Sequence, residues 1–133
     1  MAASPLGVGG TGDGFHIAVA FLHGAVTIFD ALDGYKILTT FQTTEEQISA
    51  MKYSPNARLL ACGSNENSVH VFDAARGYRI HCKCVGHTTY ITALDWSVGS
   101  DVLRTNCAAN EVLFWDVLRR GSGNQIRERH STA

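Results

Sequence analysis

The sequence predicts an all-β protein that folds as an incomplete β-propeller of about two and a half to three four-stranded blades. Aromatic–aspartate pairs recur at intervals of 43 residues, at Phe29-Asp30, Phe72-Asp73 and Trp115-Asp116. Between them, short alternating stretches rich in Val, Ile, Phe and Tyr are separated by turn-forming Gly, Asn, Ser and Asp, four stretches to each period. A period of this length with four strands is typical of propeller blades, which are small sheets packed side by side around a channel.

The alternation predicts about ten strands, and apolar positions keep one register across the copies, as at Val26, Val69 and Val112. The predicted strands span residues 16–21, 25–30, 35–41, 48–53, 58–63, 68–73, 78–84, 91–96, 102–107 and 111–117. A further strand start is predicted between Asn124 and Arg127.

The repeats divide the chain into two parts. Residues 1–14 lie outside the pattern, and we expect a flexible N-terminal lead there. Residues 15–133 form the predicted partial propeller, whose copies end near residues 30, 73 and 116. Because closed propellers typically have about four to eight blades, the open sheet faces predict one of two arrangements. Either copies of the chain self-associate to close the ring, or further blades exist on a longer chain.

The composition, 45% hydrophobic and 17% charged, is that of a globular chain with a core. The formal net charge of -1 provides no field to hold nucleic-acid phosphates, and no apolar run approaches the roughly eighteen residues of a membrane span. We therefore expect no nucleic acid and no membrane among the partners. The start of the chain has no secretory signal, and the four scattered cysteines are typical of free thiols in a reducing compartment, so we expect a cytoplasmic protein.

The pair Gly86-His87, followed by Trp115-Asp116, resembles the WD-repeat family, whose blades begin with Gly-His and end with Trp-Asp. In that family a His, a Ser or Thr, an Asp in the turn before the third strand and the Trp form a hydrogen-bonded network that makes the blade rigid. The resemblance implies this bracing role for His87 and Trp115, whereas Ala109 stands where the Asp would be. We assign a blade-bracing role, as turn-forming acids, to the aspartates that follow the aromatic residues: Asp30, Asp73 and Asp116.

Four longer blocks carry a more specific resemblance. They are Glu45-Glu46-Gln47-Ile48-Ser49, Tyr53-Ser54-Pro55-Asn56-Ala57, residues 83–97 and Glu111-Val112-Leu113-Phe114-Trp115. These blocks look like the second propeller of the echinoderm microtubule-associated protein-like family. The resemblance implies a cytosolic, microtubule-associated scaffold with a cytoskeletal location and with protein partners that include tubulin or microtubules. The first alternative is a WD-repeat adaptor unrelated to microtubules.

No catalytic, cofactor or metal site is predicted. Residues 7–12 match the spacing of a dinucleotide-binding loop, but no strand can precede them and no helical pattern follows. His81, Cys82 and Cys84 are the one dense set of potential metal ligands in the sequence, and no second pair completes a tetrahedral zinc site. No nucleophile elbow is present, and His87, the strongest candidate for a general base, has the bracing role. An enzyme that uses Cys or His chemistry is the second alternative.

Protein binding through loops at one rim of the propeller is the function that these exclusions favour. The turns that enter first strands and the turns between second and third strands are predicted to gather at that rim. The residues they would present are Glu45, Glu46, Thr89 and Tyr90 from the first class, and His23, Asn65, Glu66, Asn67 and Asn110 from the second. Tyr90 is the predicted anchor, because exposed aromatic side chains are common hot spots of protein interfaces.

Overall fold

The computed structural model describes residues 15–118 with their side chains, and the backbone of three short strands outside that range. The strands are β1 Ala2–Ala3, β2 His16–Ala20, β3 Ala25–Asp30, β4 Lys36–Gln42, β5 Ile48–Tyr53, β6 Leu59–Ser64, β7 Ser68–Asp73, β8 Arg79–Val85, β9 Ile91–Trp96, β10 Val102–Cys107, β11 Val112–Asp116, β12 Gly121–Ser122 and β13 Asn124–Ile126. Single 3-10 turns, Leu22–Gly24 and Ala74–Arg76, follow β2 and β7. No helix among these residues is long and apolar enough to cross a membrane.

The strands form three sheets that follow one another along the chain. Blade 1 has the order β1-β2-β3-β4, blade 2 the order β5-β6-β7-β8, and blade 3 the order β9-β10-β11-β13. Neighbouring strands of a blade are antiparallel, whereas the two-residue strand β12 joins the outer edge of blade 2 in parallel with β8. This architecture is the all-β, incomplete propeller that the repeat period predicted, of the WD-repeat type that the resemblance implied.

All ten predicted strands form, and their ends agree with the prediction to within one residue. The strand start predicted at Asn124 is β13, which pairs with β11 through Phe114 and Ile126. Strands β1 and β12 were not predicted, because two residues are too few to carry an alternating pattern.

Two residues of the predicted N-terminal lead pair with blade 1. Ala2 and Ala3 pair with Ala18 and Ile17 and form the innermost strand of blade 1, and the flexible lead over residues 1–14 stays a prediction. The backbone groups of Ala2 and Ala3 form hydrogen bonds with the edge of β2, whose amide and carbonyl groups would otherwise be unpaired. Met1 and residues 4–14 of the predicted lead lie outside the described residues.

Blade 2 is buried on both of its faces. Every residue of β6 is buried, and successive side chains of a strand point to opposite sides of the sheet. Leu59 and Ala61 therefore enter the core shared with blade 3, whereas Leu60 and Cys62 enter the core shared with blade 1. The innermost strand β5 contacts both β1 and β9, as expected of strands that surround a channel. The three sheets are thus held together by two apolar interfaces.

Polar bonds cross the interface between blades 2 and 3 at positions about one period apart. Trp96 Nε1 donates to the carbonyl oxygen of Lys52 at 3.0 Å, and Ser49 Oγ donates to that of Ile91 at 2.5 Å. Lys52 Nζ also lies 2.9 Å from Asp95 Oδ1, but both side chains are about half exposed, so this ion pair contributes at most about 1 kcal/mol. Apolar burial stabilises the interface more than this ion pair does, because each fully buried large side chain contributes about 1.5–3 kcal/mol.

A buried polar chain crosses the interface between blades 1 and 2. The Tyr78 hydroxyl lies 2.7 Å from His16 Nδ1 and 2.7 Å from the Tyr53 hydroxyl. Burial raises the pKa of Tyr78 to about 12 and raises that of Tyr53 further, so both hydroxyls keep their protons. Burial also lowers the pKa of His16, although the Asp30 carboxylate opposes this shift, so the imidazole is neutral at physiological pH. This row of hydrogen-bonded side chains therefore joins two sheets without burying a net charge.

A substitution at Gly63 of β6 tests the contact between blades 2 and 3. A Cβ at this position would lie 2.6 Å from Ile91 Cγ2, so Gly63→Ala forces the two sheets apart. We expect the free energy of unfolding, measured by denaturant titration, to fall by about 1–3 kcal/mol. Gly99→Ala is the control, because its nearest contact is the Asp101 side chain at 3.2 Å, which can move.

A double-mutant cycle identifies the cause of that loss. If the clash with Ile91 is responsible, Gly63→Ala should cost less in a chain that already carries Ile91→Ala. An equal cost in both backgrounds would contradict this account of the interface.

Candidate functional site

Two sets of loops meet at one edge of the three sheets. One set enters the first strands of blades 2 and 3, and the other joins the second and third strands of each blade. We call this edge the loop rim and define it as residues 21–24, 43–47, 65–67, 86–90 and 108–111. All nine residues predicted for partner binding lie on it, which the antiparallel order of the strands explains. That they bind a partner stays a prediction.

Hydrogen bonds within blade 1's part of the rim fix the backbone. The Thr43 amide and its hydroxyl both donate to the Gly24 carbonyl oxygen at 2.9 Å, and Gln42 Nε2 donates to the His23 carbonyl oxygen. Gly24 has a φ of 82°, and a Cβ on it would lie 2.0 Å from the Thr44 carbonyl oxygen. Only glycine fits at this position, where one loop presses against the next.

Within blades 2 and 3, the loop that enters the blade is bonded to the turn between its second and third strands. The Asn65 amide donates to the Gln47 carbonyl oxygen at 3.0 Å, and the Ala108 amide donates to the Tyr90 carbonyl oxygen at 3.1 Å. The Ala109 amide also donates to Thr89 Oγ1 at 3.1 Å. Each loop that enters a blade is therefore bonded to the neighbouring turn, and the rim is a row of bonded pairs.

The side chains on this fixed backbone are mostly exposed. Tyr90, the predicted anchor, is 50% exposed. Of the other predicted residues, Thr89 and Asn67 are partly buried, and those that are exposed are His23, Glu45, Glu46, Asn65, Glu66 and Asn110. Phe21 and Leu22, 51% and 71% exposed, add apolar surface that sequence reasoning missed, because the predicted strand over residues 16–21 includes Phe21.

A hydrogen-bonded chain lies beneath the rim in blade 3. Trp115 Nε1 donates to Thr105 Oγ1 at 2.8 Å, and the Thr105 oxygen lies 2.6 Å from His87 Nε2. Because the indole N–H can only donate, the Thr105 hydroxyl hydrogen is available for His87 Nε2. All three residues are buried. Burial lowers the pKa of His87, against the opposing effect of Glu111, so the imidazole is neutral at physiological pH.

Glu111 supplies the acid that the resemblance would place at Ala109. Its Oε1 atom lies 3.4 Å from His87 Nδ1 and accepts hydrogen bonds from Cys107 Sγ at 3.1 Å and the Thr88 amide at 3.0 Å. The bonds from Cys107 and Thr88 hold the pKa of Glu111 below its ordinary value, so the carboxylate is ionised. An ionised acid therefore lies beside His87, although its contact with Nδ1 does not have hydrogen-bond geometry.

The three aspartates lie at the opposite edge of the sheets. Asp30, Asp73 and Asp116 each accept a backbone N–H from the residue two positions later, at 3.0–3.1 Å. Asp73 is also buried and lies 3.3 Å from Arg58 Nε, whereas Asp30 and Asp116 are partly buried. These bonds shape the turns between the third and fourth strands.

The cysteines and histidines place potential metal ligands at two positions. His81 Nε2 lies 2.7 Å from the Val117 carbonyl oxygen, and Cys82 and Cys84 are buried on the same side of β8. Among the described residues, a group of three potential metal ligands lies instead beneath the rim, at His87, Cys107 and Glu111, with ligand atoms within 4.8 Å of one another. Sequence reasoning missed this group, because its members lie on three different segments.

Comparisons with known proteins agree with this architecture. The family described as "Echinoderm microtubule-associated protein second beta-propeller" matches residues 5–132. The chain is 38% identical over 110 residues to echinoderm microtubule-associated protein-like 1 of Homo sapiens, covering 77% of this chain and 13% of that protein. It is 39% identical over 75 residues to echinoderm microtubule-associated protein-like 4 of Xenopus laevis, covering 54% of this chain and 8% of that protein. The chain thus spans a small part of these relatives.

Among solved structures, the chain resembles the crystal structure of Chaetomium thermophilum Sqt1. The TM-score is 0.71 with 22% sequence identity, and the match covers 90% of this chain and 31% of that chain. A likeness at this identity supports the fold alone.

A substitution at Thr105 tests the hydrogen bonds that link Trp115, Thr105 and His87 beneath the rim. Thr105→Val keeps the shape of the side chain but leaves Trp115 Nε1 and His87 Nε2 without their partner in the core. We expect the free energy of unfolding, measured by chemical denaturation, to fall by about 1–3 kcal/mol. Thr92→Val makes the same change at an exposed position of β9 and should cost less than about 0.5 kcal/mol. Equal stability of Thr105→Val and the parent chain would contradict the bracing role.

Proposed function

Because this chain belongs to the echinoderm microtubule-associated protein family, as part of the second β-propeller, we propose that it is a non-catalytic segment of a protein-interaction scaffold. The loop rim is the surface we assign to the partner. The observation that carries this proposal is that exposed side chains stand there on a backbone fixed by hydrogen bonds between loops. Such a surface loses little conformational freedom on binding.

Tyr90 is the proposed anchor of this contact. Its side chain is half exposed, while its carbonyl oxygen accepts the Ala108 amide, so the ring projects from a fixed position. Phe21 and Leu22 provide a second apolar contact on blade 1. Aromatic residues surrounded by polar groups are frequent hot spots of protein interfaces.

The negative charge of the rim favours basic side chains at the part of the partner's surface that the rim contacts. Glu45, Glu46 and Glu66 are exposed there, and Glu111 is held in its ionised form. An acidic surface of this kind accelerates the approach of a basic partner and makes the association sensitive to salt.

Microtubules are the partner we propose for the assembly to which this segment belongs, with a cytoplasmic, cytoskeletal location. The support is the family, whose members are named for microtubule association, and the chain covers only 13% of the relative in Homo sapiens. A WD-repeat adaptor unrelated to microtubules is the alternative, and the experiment below separates the two.

The buried position of His87 argues against catalysis by an enzyme that uses Cys or His chemistry. Its side chain is 1% exposed, and Nε2 is occupied by Thr105. A general base must reach a proton of the substrate within hydrogen-bond distance. Cys62, Cys82, Cys84 and Cys107 are likewise buried.

Co-sedimentation of the longer protein with polymerised tubulin tests the proposal. We expect Tyr90→Ala to raise the dissociation constant about tenfold or more, which is the usual effect of losing an aromatic hot spot. Tyr35→Ala is the matched control, because Tyr35 is 62% exposed but lies in the turn between β3 and β4 at the opposite edge. Unchanged binding by both variants would contradict a role for the rim, and no binding by the parent protein would favour the adaptor alternative.

A further inference from the structure

We propose that His87, Cys107 and Glu111 form a zinc site that clips together three segments beneath the loop rim of blade 3. His87 precedes β9, Cys107 ends β10 and Glu111 precedes β11. Their ligand atoms lie within 4.8 Å of one another. One imidazole, one thiol and one carboxylate make up a donor set that zinc accepts in proteins.

Two of the three distances in this cluster are close to those of a tetrahedral site, and the third, from His87 Nδ1 to Cys107 Sγ, is at most 4.8 Å. Glu111 Oε1 lies 3.4 Å from His87 Nδ1 and 3.1 Å from Cys107 Sγ. Ligands bound to one zinc ion at about 2.0–2.3 Å are separated from each other by about 3.3–3.8 Å. Small side-chain movements would therefore suffice to place the three donors around an ion.

A second, independent observation concerns His87 Nδ1. This atom is buried and has no hydrogen-bond partner, because the contact with Glu111 at 3.4 Å does not have hydrogen-bond geometry. The His87 side chain is 1% exposed, so no bulk water replaces that partner. A buried polar atom without a partner is costly, and a metal ion would satisfy it.

The rest of the imidazole environment suits a metal ligand. When Nδ1 binds zinc, Nε2 carries the proton and donates to Thr105 Oγ1, which lies 2.6 Å away. The Thr105 oxygen can accept from both His87 and Trp115, since it has two lone pairs. A second ring nitrogen bonded in this way orients a metal-bound histidine.

The preceding repeat shows that the corner folds without these ligands. The residues one period earlier are Thr44, Ser64 and Ser68, all of them buried. The hydroxyls of Thr44 and Ser64 form hydrogen bonds with the backbone. Thr44 Oγ1 accepts from the Glu46 amide, and Ser64 Oγ donates to the Ser68 carbonyl oxygen. The Cys and Glu of blade 3 are therefore not demanded by the backbone geometry of the corner, whereas His87 also braces the blade through Thr105.

Binding is balanced in charge and protons. The ion forms bonds to Nδ1, Sγ and a carboxylate oxygen, and the Cys107 thiol releases one proton to solvent. The Nδ1 proton is replaced by one on Nε2, so the imidazole stays neutral. Thiolate and carboxylate then neutralise the two charges of the ion, and water takes the fourth position on the side of Glu111, which is 34% exposed.

Zinc titration of the chelator-treated 133-residue chain by calorimetry tests the site. We expect one ion per chain and release of about one proton per ion, read from titrations in two buffers with different ionisation enthalpies. Cys107→Ser and Glu111→Gln should each weaken binding at least about tenfold. Circular dichroism of both variants verifies that they fold, and His87 is left unchanged because it braces the blade.

Cys84→Ser is the matched control, because Cys84 is an equally buried cysteine outside the cluster. It should leave zinc binding unchanged. Cobalt substitution gives a second readout, since a thiolate ligand produces a charge-transfer band that Cys107→Ser should remove. Absence of one-to-one binding, binding that survives Cys107→Ser and Glu111→Gln, or binding lost in Cys84→Ser would overturn the proposal.

Discussion

The packing of each sheet against its neighbour is the interaction on which the rest of this structure depends. A four-stranded sheet has two faces, and in blade 2 both are covered, one by blade 1 and the other by blade 3. The closeness of that contact is visible at Gly63, where Ile91 of the next blade occupies the space of a side chain. Because the contact repeats with the 43-residue period, one sequence pattern specifies both the sheet and its neighbour.

The loop rim is a consequence of this stacking. Antiparallel strands bring the entering loops and the turns between second and third strands to the same edge, where backbone hydrogen bonds join them in pairs. The surface proposed for a partner is thereby held by the sheets, while its side chains stay exposed. In blade 3 the same corner is reinforced from below by Thr105, which bonds both His87 and Trp115.

The fold could be predicted from the sequence because alternation and period are local and repeated. Strand ends and the rim residues follow from them, and specific sequence blocks carry the family resemblance, whereas Ala2–Ala3 and Gly121–Ser122 are too short to show any alternation. The cluster beneath the rim could not be predicted, because His87, Cys107 and Glu111 meet only after the hairpin of β10 and β11 folds against the loop before β9. Thr105 was missed for the same reason, since its partners lie on other segments.

Native-state hydrogen exchange, followed by mass spectrometry, tests most directly the claim that contacts between blades hold the chain together. The account predicts that the amides of β6 and β7 in blade 2 and those of β9 and β10 in blade 3 exchange slowly and with one common opening free energy, because neither sheet can lose its neighbour without exposing a core. Separate opening free energies for the two blades, with one of them exchanging freely while the other stays protected, would contradict it.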